Sequence, residues 1–114
     1  MDSSRPLPAN DVIRQLFERK SVRAFTDEPV TREEELQILE AAIQAPTAGN
    51  EQLYSIVVVR DHAKKEALVV SCDNQPFIAK APLVLAFCAD VRRWYRGFCL
   101  AGAGPREPGV GDFL

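Results

Sequence analysis

Apolar positions recur along the chain with two periods, and each change of period marks an element boundary. Val12, Ile13, Leu16 and Phe17 follow Asn10 at helical spacing. Asn10 can cap a first turn, so the pattern predicts a helix over 11–19 with one apolar face. Residues 1–9 ahead of it are polar and carry Pro6 and Pro8, and they read as a flexible arm. SVRAFTDEPV (21–30) mixes β-branched and aromatic residues and stops at Pro29. It reads as extended, a short strand followed by a turn. The second helix is the best marked. Thr31 and Glu34 form a capping box, and Glu33 and Glu35 suit the positive helix end. Leu36, Leu39, Ala42 and Ile43 share a face, and Pro46 requires the helix to end by Ala45.

LYSIVVVR (53–60) switches to a continuous apolar run, the pattern of a strand covered on both faces. Asp61 caps a third helix, HAKKEALVVS, whose expected inner face is Ala63, Ala67 and Val70. FIAKA is a short helical turn, and LVLAFCAD (83–90) is a second covered strand with Cys88 as a buried small hydrophobe. VRRWYRGFCLAG (91–102) reads as helical and GPREPGVGDFL as a loop. Two covered strands joined through a helix give an α+β fold with α/β layering. The chain stops inside an apolar segment begun by GDFL, which suggests one half of something longer.

Composition narrows the function classes. The chain has 114 residues, one domain's worth, with 46% hydrophobic and 26% charged. Fourteen Lys and Arg against sixteen Asp and Glu leave a net charge of −2, which disfavours a nucleic-acid binder. No apolar run approaches a membrane span, and the first residues lack the apolar stretch of a secretory signal. The expectation is a cytoplasmic protein. Three cysteines without a CxxC pair fit neither a disulfide framework nor a zinc site.

Candidate chemistry gathers in three places. In an extended stretch Arg19, Ser21 and Arg23 share a side, and two guanidinium forks with a hydroxyl suit a phosphate. A solvated basic turn completing the first helix is the commoner meaning of that spacing. The loop APTAGNEQ (45–52) joins a helix to a strand. Gly49 there allows close approach of a planar ligand, and Asn50 and Gln52 offer amides; a plain helix-stop loop of turn residues is the commoner meaning of that segment taken alone. Asn74 and Gln75 precede Pro76 in a third polar loop. His62 belongs to a surface. Trp94 and Tyr95 suit helix packing better than a substrate wall. No nucleophile triad, paired carboxylates or phosphate loop is visible, which is compatible with chemistry carried by a flavin.

In order, these motifs resemble the nitroreductase family of FMN-dependent flavoproteins. RKSVRAFTDEPV is similar to the family's Arg-Arg-Ser-Val/Ile-Arg-x-Phe start. APTAGNEQLYSIVVVRD resembles its Ala-Pro-Ser-x-x-Asn-x-Gln loop and strand. DNQPFIAKAPLVLAFCADVRRW resembles its Gln loop, short helix and strand ending in Cys-Ala-Asp. FTDEPV and FCAD are closest to the oxygen-insensitive, NADPH-preferring branch. The resemblance runs over 10–95, and Lys20 and Thr47 stand where Arg and Ser are commoner.

The resemblance implies that residues 10–114 are the N-terminal half of a nitroreductase-like, FMN-binding α+β domain, since family members are about twice as long. It implies that Arg19, Lys20, Ser21, Val22 and Arg23 hold the FMN phosphate and ribityl chain. Ala48, Asn50 and Gln52 would lie near its ring or ribityl, and Gln75 at a ribityl or ring edge. The implied activity passes two electrons from NAD(P)H through FMN to nitroaromatics, quinones or similar small acceptors, in a cytoplasmic homodimer, with no catalytic side chain assigned. Two alternatives stay open: a non-catalytic, partner-binding remnant, and another flavin reaction on the same fold.

Overall fold

The computed structural model describes residues 10–113, so the arm expected over 1–9 lies outside them. Helix α1 spans Asp11–Glu18, with the Asn10 side chain accepting from the N–H groups of Val12 and Ile13. Helix α2 spans Arg32–Ile43 and carries both halves of the capping box between Thr31 and Glu34. Strand β1 is Tyr54–Val59. Helix α3, His62–Ser71, is capped by the Asp61 side chain accepting from the Lys64 N–H at 2.9 Å. A single-turn helix α4 (Phe77–Lys80), strand β2 (Val84–Ala89) and helix α5 (Arg92–Leu100) follow. The loop over 46–52 holds one 3-10 turn, Ala48–Asn50, and the tail ends in another, Val110–Phe113. These elements form an α+β arrangement.

Residues 21–30 form no strand, because no strand among the described residues lies beside them to share their backbone hydrogen bonds. β1 and β2 pair antiparallel, in register from Tyr54 opposite Ala89 to Val59 opposite Val84. Tyr54, Ile56 and Val58 therefore share one face with Ala89, Phe87 and Leu85. The strands are not covered on both sides. Val57 and Phe87 are exposed, as is Cys88, expected to be buried. Apolar runs state what a strand would bury, and this two-stranded sheet has little laid over it.

Burial centres on three residues. Glu35 in α2 and Lys65 in α3 are buried, and among the described residues Ala81 is the buried apolar one. The Lys65 ammonium donates to the carbonyls of Ala81 at 2.9 Å and Pro82 at 3.4 Å, pinning α3 to the connection between α4 and β2. The inner face of α3 is accordingly Lys65, Leu68 and Val69, with Ala63, Ala67 and Val70 turned to solvent. Glu35 lies inward on α2 and pairs with Arg32 and, across the fold, with Arg60 just past β1. Leu39 and Ala42 are half-buried, whereas Leu36 and Ile43 are exposed.

Candidate functional site

The basic strip begins where α1 ends. Arg19 caps that helix with extended backbone (φ −59°, ψ 131°), and the strip Arg19, Lys20, Ser21, Val22, Arg23 is exposed throughout. Among the described residues no carboxylate pairs with Arg19, Lys20 or Arg23. The Arg23 guanidinium lies 5.7 Å from the centroid of the Phe77 ring, and Phe25 meets the same ring at 6.4 Å. A cation–π contact of this exposed kind contributes about 0.5–1 kcal/mol. It fixes the end of the strip against α4.

Gln75 lies two residues before that ring. The chain reaches it through Asp73 (φ 62°) and Asn74 (φ 53°), both left-handed. Its backbone N–H donates to the Val69 carbonyl at 3.3 Å and its side-chain amide to the Cys72 carbonyl at 3.0 Å. Gln75 thus closes the end of α3 with its donors and keeps its amide oxygen for another partner.

The third cluster is built differently. After Pro46 the chain turns through Gly49 (φ 57°), Asn50 (φ 54°) and Gln52 (φ 52°), three left-handed residues of which only one is glycine. Each non-glycine residue there costs about 1–2 kcal/mol, so other contacts must hold the loop. Inside it, the Asn50 N–H donates to the Thr47 carbonyl at 3.0 Å and the Gln52 N–H to the Thr47 hydroxyl at 3.2 Å. The Gln52 amide donates to the Asn50 side-chain oxygen at 3.3 Å. From outside, Trp94 Nε1 donates to the Glu51 carbonyl at 2.6 Å and the Arg93 guanidinium to the Gln52 carbonyl.

Asn50 and Gln52 open on a groove of about 850 Å³ between the end of α2 and β1, lined also by Leu39, Tyr54 and Arg93. Ala48 lies in the 3-10 turn, exposed, and is not part of that lining. The expected candidates therefore fall into two groups. Arg23 and Gln75 gather at α4, and Asn50 and Gln52 gather at the groove. No hydrogen bond among the described residues joins the groups. Arg93 belongs to the second group, and its sequence signal was weak: a basic residue three positions past a strand.

Asp90 ties this region to the sheet. Its N–H donates to the Leu53 carbonyl at 2.9 Å, and its carboxylate accepts from the Ser55 hydroxyl and from the Arg92 N–H. The Ser55 hydroxyl, and then the backbone N–H groups of Arg92 and Arg93, hold the Asp90 carboxyl below the usual carboxylate range. The start of α5 is thereby fixed to the end of the strand pair.

An antiparallel strand pair flanked by helices, with a left-handed, amide-bearing loop over an open groove, defines an α+β chain. The sequence model of the nitroreductase family matches residues 16–104, which include every candidate residue named above. The chain belongs to the nitroreductase family.

Its relatives include an FMN reductase (NAD(P)H) of Bacillus subtilis, 40% identical over 84 residues, which are 74% of this chain and 34% of that protein. The oxygen-insensitive NADPH nitroreductase of Salmonella typhimurium is 38% identical over 81 residues, 71% of this chain and 34% of the relative. Among solved structures, the NADPH:FMN oxidoreductase of Vibrio harveyi, complexed with NAD+, aligns with a TM-score of 0.74 and 32% identity, over 76% of this chain and 38% of that one. The chain spans about a third of the length of these curated relatives.

Proposed function

We propose that residues 10–114 are the N-terminal half of an FMN-binding domain, and that the chain serves an NAD(P)H-dependent oxidoreductase. The acceptors are nitroaromatics, quinones or similar small molecules, and the working form is a cytoplasmic homodimer. The names of the relatives support the cofactor and the reductant. The observation that carries the reading is the Arg19–Arg23 strip, which lies inside the family match without an acidic partner among the described residues.

The donor set fits FMN. The guanidiniums of Arg19 and Arg23 and the hydroxyl of Ser21 suit its phosphate, with Lys20 adding charge and Val22 continuing the backbone. Asn50 and Gln52 offer amides to the ring or ribityl chain, Ala48 leaves their turn uncluttered, and the Gln75 oxygen accepts at a ribityl or ring edge. When bound, FMN supplies the two-electron chemistry between NAD(P)H and the acceptor. The chain's own part is to bind and orient, so no side chain is assigned a proton or a bond.

Titration of the purified chain with FMN, followed by flavin fluorescence, is expected to saturate. Arg23→Ala is expected to weaken binding by about 1.5–3 kcal/mol, the scale of a charge-assisted hydrogen bond. A folded variant with unchanged affinity would remove Arg23 from the site. A second reading, a partner-binding chain without turnover, is favoured by the large apolar side chains left exposed. It predicts no saturable FMN binding by the folded chain.

A further inference from the structure

We infer that Arg93 and Trp94 are positioning residues for the cofactor loop, acting through the backbone of residues 50–52. The inference rests on the FMN reading above for the ligand and on the geometry alone for the clamp.

Two donors on successive residues of α5 meet two successive carbonyls of the loop, Trp94 Nε1 on Glu51 and the Arg93 guanidinium on Gln52. The partners are 43 and 41 residues apart in sequence. The clamp grips the loop where it is strained, since Asn50 and Gln52 flank Glu51 with left-handed backbone. Fixing the two carbonyls fixes the peptide planes on either side of Gln52, and with them the direction in which its side chain leaves the backbone; that side chain in turn holds Asn50 by donating to its amide oxygen at 3.3 Å. Gln52's carbonyl also accepts from the Tyr54 N–H at 2.8 Å, so the clamp is continuous with the first residue of β1. The donors are themselves held. Asp90 anchors the start of α5 to the end of the ladder, and the Trp94 ring packs on Phe98 at 5.9 Å. The resulting chain runs from strand pair to Asp90, to α5, to the loop carbonyls, to Asn50 and Gln52. Arg93 alone of the two clamp residues also lines the groove.

The test uses Trp94→Phe, which keeps the ring and loses the N–H, together with Arg93→Ala and Arg93→Lys. Amide exchange followed by NMR on the cofactor-free chain reads the loop directly. Exchange at Gln52 and Tyr54 is expected to rise at least tenfold in Trp94→Phe and Arg93→Ala, with Ile56–Val58 unchanged as the fold control. FMN dissociation constants are expected to rise five- to thirtyfold, and the visible absorption band of bound flavin to shift. Arg93→Lys, which retains one donor, is expected to restore part of each effect. Unchanged exchange in both variants, or a loosened loop with unaltered FMN affinity and spectrum, would overturn the inference. Should wild-type chain fail to bind FMN, the cofactor reading falls and the exchange rates alone decide the clamp. Should Arg93→Ala disturb the strand amides, Trp94→Phe and Arg93→Lys carry the measurement.

Discussion

At Thr31 a single hydroxyl does two things. It accepts from the Glu34 N–H at 3.2 Å and donates to the Glu34 carboxylate at 2.8 Å, while the Thr31 N–H donates to the same carboxylate at 2.8 Å. These bonds hold the Glu34 carboxyl below its ordinary value, the backbone N–H first and the hydroxyl second. The sign follows directly. A carboxyl whose folded pKa is depressed adds stability that is complete above its unfolded value and is lost as pH falls through the folded one. Helix content followed by circular dichroism is therefore expected to fall as acid protonates Glu34, below the ordinary carboxylate value. Glu34→Gln, which does not titrate, is expected to flatten that part of the profile, and an identical profile would disprove the assignment. Thr31→Ala removes the cap and is expected to cost about 1 kcal/mol in urea denaturation.

Among elements, the tie between α2 and the end of β1 is carried by a buried carboxylate. Glu35 is 4% exposed and receives Arg60 on both oxygens, at 2.6 Å on Oε2, with Arg32 on Oε1. Arg60→Ala leaves that carboxylate with Arg32 alone. Because the Arg60 side chain is itself 58% exposed, the cost is expected between that of a surface pair and that of a broken buried one, about 1–2 kcal/mol. A double-mutant cycle with Glu35→Ala checks it, since a coupling near zero would mean the two residues do not act together. This tie was not legible in the sequence, where Glu35 read only as first-turn charge. The caps were legible, because Asn10, Thr31 with Glu34, and Asp61 each act within one turn of backbone. The inward faces were not. Lys65 points inward and Val70 outward because of two carbonyls sixteen and seventeen residues beyond Lys65, and no local period encodes that. The same division runs through the candidate site. The loop was visible through Gly49 and its turn formers, but the left-handed backbone of Asn50 and Gln52 was not, and the donors that hold it come from α5, which only the folded strand pair brings near.

The whole molecule measures 61 × 38 × 30 Å with a radius of gyration of 19.1 Å, where a compact domain of this length has about 13 Å. Its accessible surface is 9713 Å², against about 6,200 Å² for a compact protein of the same mass. An excess on the order of 3,000 Å² on one chain exceeds one partner's share of an obligate interface, about 1,000–2,500 Å². Much of it is apolar and organised. Val12, Ile13, Leu16 and Phe17 form the ordered face of α1 with 67%, 41%, 64% and 67% of their surfaces open to solvent. No helix among the described residues is long and apolar enough to cross a membrane. In dilute solution the chain is expected to bind a hydrophobic dye and to gain average mass with concentration in light scattering. Leu16→Glu with Phe17→Glu removes the centre of the α1 face without touching a cap, a strand or the basic strip. The pair is expected to lower both signals several-fold while leaving helix content largely intact, because α1's first-turn bonds to Asn10 remain. A wild-type chain that stays monomeric and dye-free at all concentrations would show instead that these faces close on one another, and the radius of gyration in solution would then fall toward that of a compact domain.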